Sequence, residues 1–136
     1  MIDEHAAALL ALLDADNAAP ALVVYDGKAP SPLPDVKTNP YVLVYFDSND
    51  PEFDFDAHPW LFQMTAICHC VGGSAKAARM VADRVRTALV GVTPTVAGRS
   101  CYPISRESGV PPQRDESTGS LVMDQIDLYV LQSIPG

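Results

Sequence analysis

Cys68-His69-Cys70 is the first place where residue types suggest chemistry, because thiolates and imidazole ligate zinc and a thiol beside an imidazole can be an activated nucleophile. Spacing argues against both. The three residues lie in LFQMTAICHCV, where polar and apolar types alternate with period two, so on a strand Cys68 and Cys70 face one way and His69 the other. Divergent side chains cannot close on one ion, and the second C-x2–4-C pair of a zinc ribbon is missing. The cysteines read as small apolar core residues, and the expectation is no metal and no other cofactor. His5 and His58 remain as distant bases, with no motif that brings either to a thiol.

A second cluster, Asp47, Asp50, Glu52, Asp54 and Asp56, has the oxygen-rich character of calcium sites, but it lacks the central Gly of an EF-hand loop. Paired carboxylates for glycoside hydrolysis need a geometry that sequence spacing does not fix. A solvated acidic loop is the plainer reading, and an acidic lining for a passage is its functional version. Phe53, Phe55 and Trp60 read as anchors for that loop. Gly72-Gly73 precedes a helix whose amino terminus could meet phosphate, yet VGGSAKAA has neither the Walker spacing nor GxGxxG, so a strand-to-helix turn is the better reading. Lys76, Arg79, Arg84 and Arg86 give that helix a basic side, which reads as a solvated face or as a salt-sensitive partner for an acidic loop of the next subunit.

These residues are positioned by a switch of period at Gly72-Gly73. Before it, Phe62, Met64, Ala66, Cys68 and Cys70 form one strand face, while Gln63, Thr65, Ile67 and His69 form a mixed one. After it, Ser74 caps a helix whose buried stripe is Ala78, Val81, Ala82, Val85 and Leu89, and Gly91 and Pro94 stop it. At the amino terminus, Ile2, Ala6, Leu9, Leu10 and Leu13 repeat at helical spacing to about Asp14. Ala21–Tyr25 and Tyr41–Phe46 read as strands, separated by a proline-punctuated loop near 26–40. Val96–Ser105 allows a short strand, at an edge because of Pro103. Glu107–Ser120 is polar, rich in Gly, Pro and Ser, and reads as a flexible loop. Leu121–Leu131 alternates, with Ile126, Leu128 and Val130 on one face and Gln125, Asp127 and Tyr129 on the other. The order predicts one α+β domain over 1–136, a largely antiparallel or mixed sheet with two helices packed on one face. Eleven-residue strands would each span about 36 Å at ~3.3 Å per residue, long enough to offer sheet surface to neighbours.

Composition narrows the function classes. The chain has 136 residues, a net charge of −8 from 17 acids and 9 bases, and 48% hydrophobic residues, so it is long enough for a core and poorly suited to gripping phosphates. Its apolar runs fall short of the roughly 18 residues that a membrane span needs. MIDEHAAALLALLDAD carries acids where a secretory signal carries bases, and an odd count of three cysteines favours free thiols, so a cytoplasmic origin is expected.

In the order amino-terminal helix, PYVLVYF, LFQMTAICHCV, SAKAARMVADRVRTAL and LVMDQIDLYVL, the chain resembles the tail terminator (minor tail or tail-completion) proteins of long-tailed bacteriophages. The resemblance implies a structural virion protein of the tail, assembled in the host cytoplasm and not an enzyme, with no catalytic residues. It implies a hexameric homo-oligomer, a ring that caps the tail tube, joins it to the head connector protein and lets DNA pass without specific binding. The mixed faces Gln63, Thr65, Ile67, His69 and Gln125, Asp127, Tyr129 are then expected at subunit or tube contacts, and the acidic loop at Asp47, Asp50, Glu52, Asp54 and Asp56 at the channel or connector. The alternatives are another neck component such as a head-closure protein, or a small α+β ligand-binding or hydrolytic domain using His58.

Overall fold

The computed structural model describes residues 1–15, 21–31, 35–36, 39–48, 61–116 and 122–136. Two helices, α1 (Ile2–Asp14) and α2 (Ala75–Leu89), lie on a mixed sheet of six strands: β1 (Val24–Asp26), β2 (Tyr41–Ser48), β3 (Phe62–Gly72), β4 (Arg99–Cys101), β5 (Ser105–Asp115) and β6 (Val122–Pro135). The fold is α+β, as the sequence order predicts. The strands run β1-β2-β3-β6-β4, β5 pairs with β6 beside β4, and only the β1–β2 contact is parallel. Among the described residues no helix is long and apolar enough to cross a membrane.

The core forms where the two periods meet. Met64, Ala66, Cys68 and Cys70 of β3 and Val42 and Val44 of β2 are buried against Leu9 and Leu13 of α1 and Val81, Ala82, Val85 and Leu89 of α2. α2 starts at Ser74, whose side chain accepts a hydrogen bond from the Ala77 amide at 3.1 Å, and its buried stripe is the one its spacing predicts. Gly72 is buried where β3 meets the first turn of α2. A Cβ there would stand 2.7 Å from both the Ala77 Cβ and the Ala78 nitrogen, so the close approach of strand and helix requires glycine.

Two segments differ from expectation. β1 is three residues long, beginning at Val24 rather than Ala21. Among the described residues of 27–40 there is no strand or helix, in keeping with the prolines there. Ser105–Asp115 is a strand, not a loop, and only residues 117–120 of the expected loop lie outside the described residues. The reason is physical: β5 is exposed along almost its whole length, so nothing selects a hydrophobic period, and its ladder to β6 breaks register between Arg106 and Ser108 and again between Val110 and Gln113. The second break takes up Pro111 and Pro112, which have no amide to donate.

Candidate contact surface

On β3, His69 leaves the core side that Cys68 and Cys70 share. Its Nδ1 lies 2.8 Å from Asp124 Oδ2 of β6, and its ring meets Tyr45 of β2 edge-on at 5.5 Å between centroids. Around it, on the sheet face turned from the helices, stand Gln63 and Ile67 of β3, Leu43 and Tyr45 of β2, and Ile126, Leu128 and Val130 of β6, half-buried or exposed. Gln132 donates to Gln63 across the β3–β6 ladder at 2.8 Å. One end of the face is closed by a small second cluster of Val36, Tyr41, Val71 and Val122. Elsewhere no described helix lies over it, so apolar and hydrogen-bonding groups are presented together, as contact surfaces require.

The residues expected at contacts divide in two. Gln63, Ile67 and His69 stand on this outer face; Thr65 shares it but is buried, at 5% exposure. Gln125, Asp127 and Tyr129 do not belong to it. They alternate with Ile126, Leu128 and Val130 as predicted, but their face is the one under the helices, where they are 9%, 0% and 0% exposed. The assignment of faces on β6 is thus reversed from expectation. Of the acidic run, Asp47 is exposed on β2 opposite Thr65, while Asp50, Glu52, Asp54, Asp56 and the base His58 lie outside the described residues.

The reversal has a local cause. Asp127 Oδ1 accepts from Arg106 Nη2 at 2.8 Å and Nε at 3.2 Å, and its Oδ2 accepts from Gln125 Nε2 at 3.3 Å. A buried carboxylate is tolerable when so paired. Gly109, opposite Asp127 on β5, makes the pairing possible, because any Cβ there would overlap the guanidinium and the carboxylate. Gln125 Oε1 stays buried without a hydrogen-bond partner among the described residues, and burial followed by the charge of Asp127 pushes the Tyr129 phenol up, with the Arg86 side chain at its hydroxyl opposing.

The structure also brings together a pair that sequence reasoning missed. His5 Nδ1 donates to the Met1 carbonyl at 2.7 Å, so Nε2, also at 2.7 Å, accepts from the Ser133 hydroxyl, and Ser133 Oγ accepts from Arg99 Nε at 3.1 Å. The arrangement has the form of a serine and its base, but His5 and Ser133 are both fully buried, so it locks α1 onto β6. The signal available was that His5 stands one turn from Ile2 and Leu9 in the apolar stripe of α1. An open pocket of about 250 Å³ beside it, lined by Met1, Glu4, His5, Val96, Ala97 and Arg99, presents no accessible nucleophile.

The thiols are equally unsuited to chemistry. Cys68 and Cys70 are fully buried, and burial pushes the Cys68 thiol up to about 12 and raises Cys70 as well. Among the described residues no group of three His, Cys, Asp or Glu side chains could hold a metal ion. In the folded protein at mildly alkaline pH, a thiol reagent is expected to modify Cys101, which is half-buried, well before the other two. Cys68 and Cys70 should react only at the rate of global unfolding, which mass spectrometry of timed samples checks.

His69 supplies a second prediction. The hydrogen bond it donates to the Asp124 carboxylate raises its pKa above the ordinary value of 6.5, with partial burial opposing. The folded state therefore holds the proton more tightly than the unfolded one. The stabilisation from the pair is complete below pH 6.5 and is lost as pH rises through the folded-state value. Urea titrations of the parent and Asp124→Asn should differ by on the order of 0.5–1 kcal/mol more at mildly acidic than at alkaline pH. An equal difference at both would contradict the pairing.

Neither a protein-family model nor a curated protein matches the sequence. Among solved structures, a chain of the virion of a native gene transfer agent particle is 24% identical with a TM-score of 0.68, over 96% of this chain and 93% of that one. A second solved chain, known by a sequence label alone, is 18% identical with a TM-score of 0.63, over 96% of this chain and 94% of that one. At such identities the likeness establishes a shared fold.

Proposed function

We propose that this chain is a structural protein of a phage-like virion, and specifically a tail terminator. It assembles as a hexameric ring that caps the tail tube and joins it to the head connector, and its role is not enzymatic. The observation that carries this reading is the likeness, along nearly the full length of both chains, to a chain of a gene transfer agent virion. The outer sheet face supports it: Gln63, Ile67 and His69, with Tyr45, Leu128 and Val110, offer a mixed apolar and polar surface, and Tyr45 and Val110 are 41% and 43% exposed. In this reading that face meets the tube or the connector, and Asp47 marks where the acidic run begins. DNA passes without specific binding because a chain of charge −8 repels it.

Growth of the tail tube in vitro tests the terminator role. Added to a polymerising tube protein from the same particle, the chain is expected to bind one end and shorten the tubes in proportion to its concentration. Tubes of unchanged length with no cap at either end would contradict it. Binding to the connector alone would favour a head-closure protein instead.

A further inference from the structure

Four of the nine basic residues lie on α2: Lys76, Arg79, Arg84 and Arg86 against the single acid Asp83, a charge of +3. Since the whole chain carries −8, everything outside α2 sums to −11. The base-rich side of the helix is turned to solvent. Lys76 and Arg79 are exposed, as is Arg86, whose side chain also reaches back to the Tyr129 hydroxyl, and between them Met80 is 59% exposed. Lys76 and Arg79 form no ion pair with any described residue. A flexible apolar side chain flanked by cations that pair with no described acid suits a contact rather than a merely solvated face.

α1 presents the complement. It has no Lys or Arg, its exposed residues include Asp3, Glu4 and Asp14, and between the acids stand exposed Ala7 and Ala11. Asp3, Ala7, Ala11 and Asp14 follow one stripe of the helix. At ~1.5 Å per residue the stripe places its terminal acids about 16 Å apart, and Lys76 and Arg86 are about 15 Å apart by the same measure. Acids with a shallow alanine centre therefore match bases with a protruding methionine centre in charge, spacing and relief.

We propose that the solvent face of α2 docks on the solvent face of α1 of a second copy of this chain. The two patches differ, so the contact is head-to-tail, the type that closes into a ring when its rotation closes. This inference rests on the ring reading above and adds the surfaces that would join the copies. Nucleic acid is a poorer occupant: Asp83 and Met80 interrupt the stripe, and the rest of the chain repels a polyanion.

The test uses the full chain in native mass spectrometry and light scattering, with circular dichroism to confirm folding. Lys76→Glu/Arg79→Glu alone, and Asp3→Lys/Asp14→Lys alone, should each weaken self-association by at least about 100-fold. Mixed one to one, the two variants should assemble again, because each reversed face then meets its complement. Assembly of the parent should also weaken roughly tenfold when salt is raised from low to several times physiological levels. Parent rings with Lys76→Glu/Arg79→Glu rings equally stable would overturn this interface and leave the ring reading standing. So would a mixture of folded variants that stays monomeric. A parent that is monomeric at every concentration would remove both. If Asp3→Lys/Asp14→Lys does not fold, Lys76→Glu/Arg79→Glu decides by itself. Retention of duplex DNA by the parent, lost in Lys76→Glu/Arg79→Glu with assembly unchanged, would reassign the face to nucleic acid and overturn the proposal.

Discussion

Arg106→Ala is expected to destabilise the fold by about 2–3 kcal/mol, and Asp127→Asn by only about 1 kcal/mol. Truncating Arg106 leaves the fully buried Asp127 carboxylate with Gln125 Nε2 as its remaining side-chain donor among the described residues. The larger figure is kept moderate because the guanidinium is itself 35% exposed, so water at its outer side can partly replace it. Removing the charge from Asp127 instead strands a guanidinium that already reaches solvent. The new amide can also recruit Gln125, whose Oε1 has no partner and which can flip to accept from it. Urea midpoints of the two variants check the asymmetry. Equal losses would mean that Asp127 is not held as a buried anion by Arg106.

Gly72→Ala is expected to cost about 2–3 kcal/mol, although alanine is ordinarily the milder residue. The new methyl would meet the backbone of α2 at Ala78 as well as the Ala77 side chain, and backbone yields far less than the tip of a long side chain. Relief requires moving the first turn of α2 off β3, which disturbs the Ser74 cap and the packing of Ala78 and Val81. Thermal melts compare Gly72→Ala with Gly73→Ala, since Gly73 is exposed and should tolerate the change better. A Gly72→Ala protein as stable as the parent would show that the junction has slack.

Much of this fold is legible in the residues because hydrophobic period alone carries it. The β3 face of Met64, Ala66, Cys68 and Cys70 and the α2 stripe from Ala78 to Leu89 are both read correctly, since each is apolar in its own sequence and packs into one shared core. Where polar chemistry replaces packing, period misleads. On β6 the rule that the more apolar face turns inward puts Ile126, Leu128 and Val130 in the core. The protein instead buries Gln125, Asp127 and Tyr129, because Arg106 on a neighbouring strand supplies the charge that makes burial tolerable. That partner is 21 residues away, in a segment whose Gly and Pro content suggests a loop. β5 is hidden for the same reason: a strand exposed on both sides is held by its backbone ladder, which leaves no mark in side-chain pattern. The pairing of His5 with Ser133 spans 128 residues and follows only from the way α1 lies across β6. The candidate contact surface is half legible: its β3 residues follow from alternation, while on β6 the residues expected at contacts, Gln125, Asp127 and Tyr129, are the buried ones.

Electron microscopy of the purified protein tests the central claim most directly. Closed six-fold rings with a central opening wide enough for duplex DNA are expected, seen free and at one end of tail tubes. Monomers at every concentration, with no ring even when tail tube is present, would contradict it.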